Sequence, residues 1–363
     1  MRAAVLKAIG EPLQLTDLTV DEPTGKEVRV RVRASGLCHS DLTVSTNDLG
    51  FPLPMVMGHE VAGVIDAVGD AVDGFAVGDR IAVCSETWCG ECANCRRGQT
   101  FRCSNPMAIR RSPDQPSRLT DGTERVQAFL GVGGFAEQVI VHQNNLIPIP
   151  DDLPFDRAAL LGCGVATGAG AALNSADVRR GDSVAVMGCG GVGLNTIQGA
   201  AIAGAQRVIA IDLADDKLEL ARRFGATDVI NAAEVDPVAA VSEITGGVGV
   251  TYTFEVTGTK NAAITCMDML AVGGTTFIIG VQKPGTVFEL PFTYFFDQKA
   301  MRGVAMGSTN PKVDLPRYAD LYLQGRFNLD DLVGRTISLD DVNDAYADLQ
   351  RGSVARSVIV FDD

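Results

Sequence analysis

The stretch VAVMGCGGVGLN, residues 184–195, decides the fold of this chain. Its glycines Gly188, Gly190 and Gly193 have G-x-G-x-x-G spacing, after an apolar run typical of a buried strand and before an apolar helix. Such glycines let the backbone approach a pyrophosphate, and the helix N-terminus offers unpaired N–H groups. A second apolar run ends in Asp212. The pattern predicts a dinucleotide-binding turn, and the alternative is a glycine-rich turn without a ligand.

Asp212 indicates which dinucleotide would bind. A carboxylate at the end of the second strand can bind both hydroxyl groups of the adenosine ribose. The same carboxylate would repel the 2′-phosphate of NADP. The sequence therefore predicts NAD rather than NADP.

Short apolar runs continue on both sides of this turn and alternate with helical patterns such as ADDKLELARRF (214–224). The runs are residues 184–188, 207–212, 228–231, 251–256 and 274–280. Alternation of strand and helix predicts an α/β domain, a doubly wound parallel sheet with helices on both faces.

The first 160 residues follow a different pattern. Short strands such as EVRVRVRAS, EVAGVIDAVG and EQVIVHQ are separated by Gly, Pro and Asp, which predicts a β-rich barrel or sandwich. The segment 104–128 is polar and weakly periodic, and we expect a long loop with a functional or interface role. The last run, RSVIVF, is expected to return to this first lobe, because its own segment has no other sheet.

Four of the nine cysteines lie within CGECANCRRGQTFRC, residues 89–103. Cys89, Cys92, Cys95 and Cys103 have the spacing C-x2-C-x2-C-x7-C, which suits four thiolates around one Zn²⁺. Four protein ligands leave no open coordination position, so the predicted zinc is structural. Two disulfides are one alternative, and an iron–sulfur cluster is another.

Composition excludes several classes of function. The net charge of −14 and the pI near 4.7 argue against nucleic acid or an anionic membrane as partner. No run approaches the roughly 20 apolar residues of a membrane span. The start, MRAAVLKAIG, is interrupted too early for a signal peptide, and abundant cysteines without one indicate thiols and metal. We therefore expect a cytoplasmic protein.

A second set of metal-ligating residues is scattered along the chain. Cys38 and His39 follow a predicted strand, His59 and Glu60 precede another, and Cys163 lies where the strand pattern changes. Each alone has an ordinary structural interpretation, because a buried cysteine usually packs as a small apolar residue. Next to a structural zinc loop and a dinucleotide turn, the set indicates an open, catalytic metal site.

The motifs GLCHSDL, GHEVAGVIDAVG, the four-cysteine loop, LLGCGVATG and GCGGVG occur in this order over essentially the whole chain. Together they resemble the zinc-dependent medium-chain alcohol dehydrogenases, in particular the liver-type and aryl or allyl alcohol dehydrogenases. The resemblance implies a GroES-like catalytic domain at 1–163 and 300–363. It also implies a Rossmann NAD-binding domain at 164–299, with the active site between the two.

The resemblance implies a catalytic zinc with three ligands and an acid behind the metal, namely Cys38, His59, Cys163 and Glu60. Ser40 would take the substrate proton, and Asp41 would orient the histidine ligand. Three protein ligands leave one position for an alcohol, whose pKa the zinc lowers so that the alkoxide can release hydride to the nicotinamide. With the four-cysteine loop, this makes two zinc ions per chain.

The resemblance also implies the residues that bind NAD. They are Thr167 and Val192 at the nicotinamide, Asp212 and Lys217 at the adenosine ribose, His39 and Arg356 at the pyrophosphate, and Gly188, Gly190, Gly191 and Gly193 in the turn. Liver-type relatives end their proton relay on a histidine where this chain has Thr43. The final base is therefore either His39 or solvent.

Substrate and assembly remain open between alternatives. Ser40 instead of threonine, and Ser85 where relatives have a large aromatic ring, predict a roomy pocket for a bulky primary alcohol. A thiol-linked formaldehyde dehydrogenase is the alternative, because Arg110, Arg111 and Arg118 offer charge for the carboxylates of glutathione or mycothiol. A non-catalytic NAD(P)H-binding relative is a further alternative. The liver-type resemblance implies a homodimer, with a homotetramer as the other option.

Overall fold

The computed structural model describes residues 1–112, 114–351 and 356–362. Pro113, inside the predicted loop 104–128, lies outside the described residues, as do 352–355 and 363 of the predicted catalytic domain. The chain forms two compact units, Met1–Cys163 with Asn310–Asp363, and Gly164–Thr309.

The strands of the described chain are β1 (Arg2–Leu6), β2 (Gln14–Asp17), β3 (Thr19–Val20), β4 (Glu27–Gly36), β5 (Met55–Val56), β6 (Glu60–Val68), β7 (Arg80–Val83), β8 (Leu119–Thr120), β9 (Arg125–Ala128), β10 (Gln138–His142), β11 (Leu146–Pro148), β12 (Ser183–Met187), β13 (Arg207–Asp212), β14 (Asp228–Asn231), β15 (Val250–Glu255), β16 (Leu270–Ile278), β17 (Ala300–Gly303), β18 (Arg335–Ile337) and β19 (Ser357–Val360). The α-helices are α1 (His39–Thr46), α2 (Ala93–Arg96), α3 (Phe155–Ala158), α4 (Gly164–Gly170), α5 (Gly191–Ala203), α6 (Asp215–Arg223), α7 (Pro237–Ile244), α8 (Lys260–Asp268), α9 (Thr293–Phe296), α10 (Pro311–Leu323) and α11 (Val342–Arg351).

The first unit is rich in β-structure, which confirms the predicted β-rich catalytic domain. Among its described residues, one sheet has the order β2-β1-β5-β9-β8-β3. The other has the order β11-β7-β6-β4-β19-β18, and β10 pairs with β4. Strand β4 is the centre of this sheet, because β6, β10 and β19 all pair with it.

The alternating sequence of β4 explains its position. Val28, Val30 and Val32 are 0–1% exposed, whereas the intervening Arg29 and Arg31 are not buried. A period of two gives the strand one apolar face, and that face packs in a cluster with valine, isoleucine and leucine side chains from β6, β7, β10 and β11. The predicted half-buried strand is confirmed.

The last strand of the described chain pairs with the central strand of this sheet. Strand β19 pairs antiparallel with β4, with Val360 opposite Ala34 and Val358 opposite Gly36. The expectation that the last strand returns to the first lobe is therefore confirmed. The prediction of a loop over 104–128 is wrong in part, because β8 and β9 pair with each other and with β3 and β5. Strands as short as two residues leave no periodicity to detect.

The second unit contains the parallel sheet, in the order β14-β13-β12-β15-β16-β17. All of its strand pairs are parallel. In chain order this is 3-2-1-4-5-6, the arrangement of a Rossmann sheet, which confirms the predicted doubly wound architecture. Strand β17, Ala300–Gly303, belongs to this sheet, and the compact unit extends to Thr309. The sequence predicts this boundary after residue 299, before β17.

One surface of the second unit is apolar and exposed. Phe292, Phe295 and Phe296 have 70%, 60% and 75% of their area exposed, and the ring of Phe292 contacts the other two rings. Strand β17, which follows them in sequence, has only β16 as a partner and therefore forms an edge of the sheet.

Within the described residues, no single helix has the length and apolar composition needed to cross a membrane. Only Phe155–Gly162 and Gly164–Ser175, taken together across a bend, reach that length and composition.

Candidate functional site

The structure brings three distant parts of the first unit together. Cys38 precedes α1, His59 precedes β6, and Cys163 follows a short helical turn. The ligand atoms of these residues and of Glu60 all lie within 4.8 Å of one another. His59 Nε2 is 3.2 Å from Cys163 Sγ. The predicted catalytic-zinc residues therefore form one cluster, and all except Cys163 are buried.

Asp41 holds this cluster in place. Its carboxylate is fully buried and accepts hydrogen bonds from the backbone N–H of Cys38 at 3.0 Å and of Gly58 at 3.1 Å. It also lies 3.0 Å from His59 Nδ1. Because Nδ1 faces a carboxylate, that nitrogen carries the proton and Nε2 keeps its lone pair for a metal.

The cluster fits a zinc ion of the catalytic type. Two thiolates and a neutral imidazole supply three ligands of the kinds that zinc prefers, and their two negative charges match the ion. Ser40 Oγ lies 3.4 Å from His59 Nε2, beside the ligand atoms. Hydrogen bonding from Cys163 lowers the pKa of the Cys38 thiol well below its usual range, despite burial.

Glu60 has a partner that sequence reasoning missed. Arg356 Nη2 is 2.9 Å from Glu60 Oε1 and 3.6 Å from Cys38 Sγ, and both side chains are buried. Burial raises the pKa of Glu60 to about 7, against the opposing charge of Arg356. The predicted pyrophosphate ligand Arg356 is therefore bonded within the metal cluster, at a separation of 296 residues that no local pattern reveals.

Two glycines make room for the cluster. A Cβ atom at Gly36 would lie 2.3 Å from Glu60 Oε2, and one at Gly162 would lie 1.9 Å from the carbonyl oxygen of Val83. Real Cβ contacts are never this short. Gly162 thus lets the chain that carries Cys163 lie directly against β7.

The cysteine loop forms a second cluster of four sulfur atoms. Cys89, Cys92, Cys95 and Cys103 have their ligand atoms within 4.8 Å of one another. The sulfur separations are 3.5 Å for Cys92–Cys95 and Cys89–Cys103, and 3.9 Å for Cys89–Cys95. Sulfurs on a tetrahedron with Zn–S bonds of ~2.3 Å are about 3.8 Å apart, whereas a disulfide requires about 2.05 Å. The loop therefore fits a closed zinc site and excludes disulfides.

Backbone N–H groups in this loop point at the cysteine sulfur atoms and stabilise their thiolate form. The N–H groups of Cys92 and Glu91 point at Cys89 Sγ at 3.4 and 3.5 Å, and that of Asn105 points at Cys103 Sγ at 3.4 Å. Hydrogen bonds from the backbone of Cys95 and Ser104 lower the pKa of Cys92 to about 5. Donors aimed at sulfur favour the charged form that binds a metal.

The nucleotide turn has the geometry that its glycines predict. Gly188 follows β12 with φ of 104°, a conformation that favours glycine, and Gly190 is the N-cap of α5. A Cβ at Gly193 would lie 1.8 Å from the carbonyl oxygen of Gly188, whereas one at Gly190 would meet nothing within 4 Å. Gly193 is therefore required for packing, while Gly190 leaves open space at the N-terminus of α5, where Gly191 and Val192 begin the helix.

Asp212 ends β13 beside this turn. Its Oδ2 accepts a hydrogen bond from Cys189 N at 2.7 Å, and its Oδ1 accepts one from Leu213 N at 2.8 Å. Lys217 is on α6, the helix that follows. The carboxylate is thus fixed at the carboxyl edge of the sheet, where a ribose binds in Rossmann folds.

Of the remaining predicted residues, Thr167 belongs to the second unit, and His39 and Thr43 belong to the first. In the second unit, a Cβ at Gly168 would be 2.3 Å from the carbonyl oxygen of Val192, so the helix containing Thr167 packs closely on α5. In the first unit, His39 begins α1 with an exposed side chain. Thr43 Oγ1 donates to the carbonyl oxygen of His39 at 3.0 Å.

Comparison with known proteins identifies the family to which the metal clusters and the nucleotide turn belong. Residues 24–151 match the alcohol dehydrogenase GroES-like domain, and residues 191–323 match the zinc-binding dehydrogenase domain. The chain belongs to the zinc-binding alcohol dehydrogenase family. It is an oxidoreductase of that family, and both matched regions include residues singled out above.

Members of the alcohol dehydrogenase family resemble this chain over their whole length. An NDMA-dependent alcohol dehydrogenase of Amycolatopsis methanolica is 36% identical over 99% of this chain and 98% of its own length. An S-(hydroxymethyl)glutathione dehydrogenase of Escherichia coli is 36% identical over 99% of both. The crystal structure of benzyl alcohol dehydrogenase from Acinetobacter calcoaceticus superposes with a TM-score of 0.93 at 34% identity, covering 99% of both chains.

The two clusters predict two zinc ions per chain by elemental analysis. Cys163→Ser should abolish activity with little loss of stability and retain about one zinc, because the four-cysteine loop stays complete. Cys95→Ser should lower the melting temperature, because a structural zinc contributes to folding. Cys84→Ser, at a buried cysteine outside both clusters, is the control and should keep two ions. Fully active wild-type protein with a single zinc would contradict the assignment.

The turn predicts different defects at two glycines only three positions apart. Gly193→Ala should destabilise the protein by about 1–3 kcal/mol, because its Cβ overlaps the Gly188 carbonyl oxygen. Gly190→Ala should leave the melting temperature unchanged but weaken NADH binding at least tenfold, because its Cβ would stand where a pyrophosphate approaches. Calorimetry and fluorescence titration measure the two effects. Equal destabilisation by both variants would show that Gly190 serves packing.

Proposed function

We propose that this protein is an NAD-dependent zinc alcohol dehydrogenase that interconverts bulky primary alcohols and aldehydes. The observation that supports the proposal most directly is the cluster of Cys38, His59 and Cys163, with His59 oriented by Asp41. Three ligands of these types suit an open zinc site. The same chain contains the glycine turn and the carboxylate of Asp212, which would bind NAD, the hydride acceptor.

In the proposed reaction, Cys38, His59 and Cys163 hold a zinc ion that, when bound, acts as a Lewis acid on the alcohol oxygen. Asp41 keeps the proton on Nδ1 of His59, so that the ring remains a ligand. Ser40 Oγ, next to the ligand atoms, would accept the hydroxyl proton of the alcohol as it passes its own hydroxyl proton onward. Thr167 and Val192 would hold NAD, whose nicotinamide would supply the hydride acceptor.

The exit of the proton differs from that of liver-type relatives. The hydroxyl of Thr43, at the position of their histidine, is already engaged with the backbone of His39. A threonine hydroxyl is also no base near neutral pH. We propose that the proton leaves through the exposed imidazole of His39 or directly to solvent.

NAD is the proposed cofactor in preference to NADP. The carboxylate of Asp212 is anchored by backbone N–H groups at the end of β13 and would repel a 2′-phosphate. Lys217 on α6 and the turn glycines complete the proposed ribose and pyrophosphate contacts. Thr167 and Val192 are proposed to pack on the nicotinamide.

A bulky alcohol is proposed because two positions close to the metal ligands, Ser40 and Ser85, carry small side chains. Ser40 lacks the methyl group of threonine, and Ser85 is buried with its hydroxyl 3.4 Å from the carbonyl oxygen of Gly162, next to Cys163. The resemblance to benzyl alcohol dehydrogenase favours the same substrate class. Each additional buried CH₂ contributes about 0.8 kcal/mol.

A thiol-linked formaldehyde dehydrogenase is the second candidate. The relative named S-(hydroxymethyl)glutathione dehydrogenase favours it. The arginines predicted to receive a thiol cofactor's carboxylates argue against it in part, because Arg111 and Arg118 are both bonded to Glu27. A non-catalytic relative would lack at least one of the three ligands, and all three are present.

We propose a homodimer formed through the second unit. Phe292, Phe295 and Phe296 expose a contiguous apolar surface, and the edge strand β17 has unpaired backbone groups. Exposed aromatic patches and sheet edges are unfavourable in a monomer. A second copy related by a two-fold axis would cover both features at once. A homotetramer would need a further interface.

The proposed location is the cytoplasm. All nine cysteines are free thiols, and six of them belong to the two metal clusters. Thiols that must bind a metal persist in a reducing compartment.

A substrate panel tests the proposed function. The purified enzyme is assayed with ethanol, hexanol, benzyl alcohol and cinnamyl alcohol, with NAD or NADP, and with or without glutathione plus formaldehyde. We expect kcat/KM for benzyl alcohol to exceed that for ethanol roughly a hundredfold, from about 3 kcal/mol of extra apolar burial. NAD should exceed NADP by at least a similar factor. Activity only with formaldehyde and the thiol would select the second candidate instead.

Ser40→Thr separates pocket size from chemistry within the same panel. Threonine keeps the hydroxyl and adds one methyl group, so ethanol turnover should change little. The kcat/KM for benzyl alcohol should fall about tenfold, because the methyl occupies space that a ring needs. Ser40→Ala, which removes the hydroxyl, should impair all alcohols alike. An equal effect of Ser40→Thr on both alcohols would contradict the roomy pocket.

The proposed dimer predicts the effect of a charge in the apolar surface. Phe296→Asp should give a monomer by light scattering, because a carboxylate buried at the interface has no partner. Val77→Asp, at a valine of the first unit that is 63% exposed, is the control and should remain a dimer. A wild-type monomer, or a dimer unaffected by Phe296→Asp, would refute this interface.

A further inference from the structure

The parallel sheet of the second unit reverses its strand order between β12 and β15. These two strands end side by side, because Met187 lies opposite Glu255 in their register. Ligands of open parallel sheets bind in the crevice outside the carboxyl ends of the strands at such a reversal. Gly188, the first glycine of the nucleotide turn, directly follows Met187. Glu255 therefore lies at the part of the sheet edge where a dinucleotide is expected to bind.

The side chain of Glu255 is fully buried and accepts hydrogen bonds on both of its oxygens. Its Oε1 accepts from Thr257 N at 2.7 Å, from Gly258 N at 2.8 Å and from Thr257 Oγ1 at 2.6 Å. Its Oε2 accepts from Gln282 Nε2 at 3.1 Å. All four partners are neutral donors, so the group acts as an acceptor-only carboxylate. Burial of a charge among neutral partners costs free energy, and the position of the loops that it holds explains its presence better than stability does.

Two loops leave the carboxyl edge of the sheet at this point. The first edge loop, 256–259, follows β15, and the second edge loop, 279–282, follows β16. A Cβ atom at Gly280 would lie 2.1 Å from the backbone nitrogen of Gly258, and one at Gly258 would lie 2.6 Å from the carbonyl oxygen of Val281. The two loops are therefore in direct backbone contact, and Glu255 is hydrogen-bonded to both.

The first edge loop lies against the nucleotide turn. A Cβ atom at Gly188 would be 2.9 Å from Thr257 Cγ2 and 3.6 Å from Thr257 N. Thr257 is exposed, yet both its N–H and its hydroxyl donate to Glu255. The residue that borders the first glycine of the turn is thus held in place from below, by a carboxylate within the sheet.

We propose that Glu255 is a positioning residue for the dinucleotide. By holding the first edge loop against Gly188, it keeps the wall of the nucleotide crevice in its binding form before the cofactor arrives. It acts through Thr257 and Gly258, because its own side chain has no exposed area. The inference rests on the proposed NAD-dependent function and adds a residue that the glycine pattern does not include.

Loss of this carboxylate would weaken cofactor binding through the population of the loop. Two N–H groups and one hydroxyl would lose their acceptor, and the loop would turn them towards water in other conformations. The apparent affinity of a ligand falls by the fraction of protein that is competent to bind it. A loop in its binding form for one-tenth of the time would bind about tenfold more weakly.

The test measures NADH affinity of the zinc-loaded enzyme by fluorescence titration, and its melting temperature in parallel. Glu255→Leu has a similar size and no acceptor, so NADH should bind about tenfold more weakly. Glu255→Gln keeps an oxygen for the three donors, and Gln282 can turn its amide to match. That variant should stay within about threefold of the wild type.

Thr253→Val is the matched control within the same strand. Thr253 is fully buried two residues before Glu255, with its Oγ1 2.7 Å from Thr276 Oγ1 and 3.2 Å from the carbonyl oxygen of Cys266. Valine keeps the shape and removes these hydrogen bonds inside the sheet, away from its edge. The melting temperature should fall while NADH affinity is unchanged, which separates a loss of stability from a loss of positioning.

Steady-state kinetics give a second readout. In Glu255→Leu the KM for NAD should rise about tenfold, whereas kcat at saturating NAD should stay within about twofold, because bound cofactor orders the loop. Should Glu255→Leu not fold, Gly258→Ala displaces the same loop from the side of Val281 and should raise the KM for NAD likewise.

Unchanged NADH affinity in a folded Glu255→Leu, or an equal loss in Thr253→Val, would overturn the positioning role and leave the proposed dehydrogenase intact. A wild type that binds no NADH would refute the proposed function itself, and the positioning role with it.

Discussion

The buried carboxylate of Asp41 is the interaction on which the metal cluster depends. It accepts N–H groups from Cys38, Gly58 and His59, which belong to two segments almost twenty residues apart. A buried charge is tolerated only when it is fully hydrogen-bonded, so the three donors and the carboxylate require one another. The start of α1 and the approach to β6 are thereby fixed before any metal arrives, and with them the two ligands that they carry.

Other buried carboxylates of the first unit are also matched by charged partners. Glu60 is matched by Arg356, and Glu27 is matched by Arg111 and Arg118. Each of these pairs joins parts of the chain that are remote in sequence, and each is largely hidden from solvent. Arg110 is an exception to this pattern, because no ion pair among the described residues includes its guanidinium.

The structural zinc site and the nucleotide turn could be predicted from the local spacing of their residues. The cysteine loop and the glycine turn each place their functional atoms within a few residues, so spacing alone indicates their chemistry, and the ligands of the open site followed from family resemblance. The contact of Arg356 with Glu60 was not predictable, because it depends on how the last strand enters the sheet. Nor could the sequence tell which arginine Glu27 would leave unpaired, since Arg110 and Arg111 are neighbours. The two-residue strand β8 was missed because it is too short for any period to appear.

The position of β19 has a consequence for biosynthesis. This strand follows the second unit in sequence, yet it lies between β4 and β18 inside the sheet of the first unit. A ribosome therefore releases all of the residues of the second unit, a contiguous segment, before the first unit has its full set of strands. Until β19 has been synthesised, β4 lacks a neighbour at Ala34–Gly36, and its backbone groups there remain open to wrong partners. Interruption of synthesis before β19 would leave a complete second unit attached to an incomplete first one.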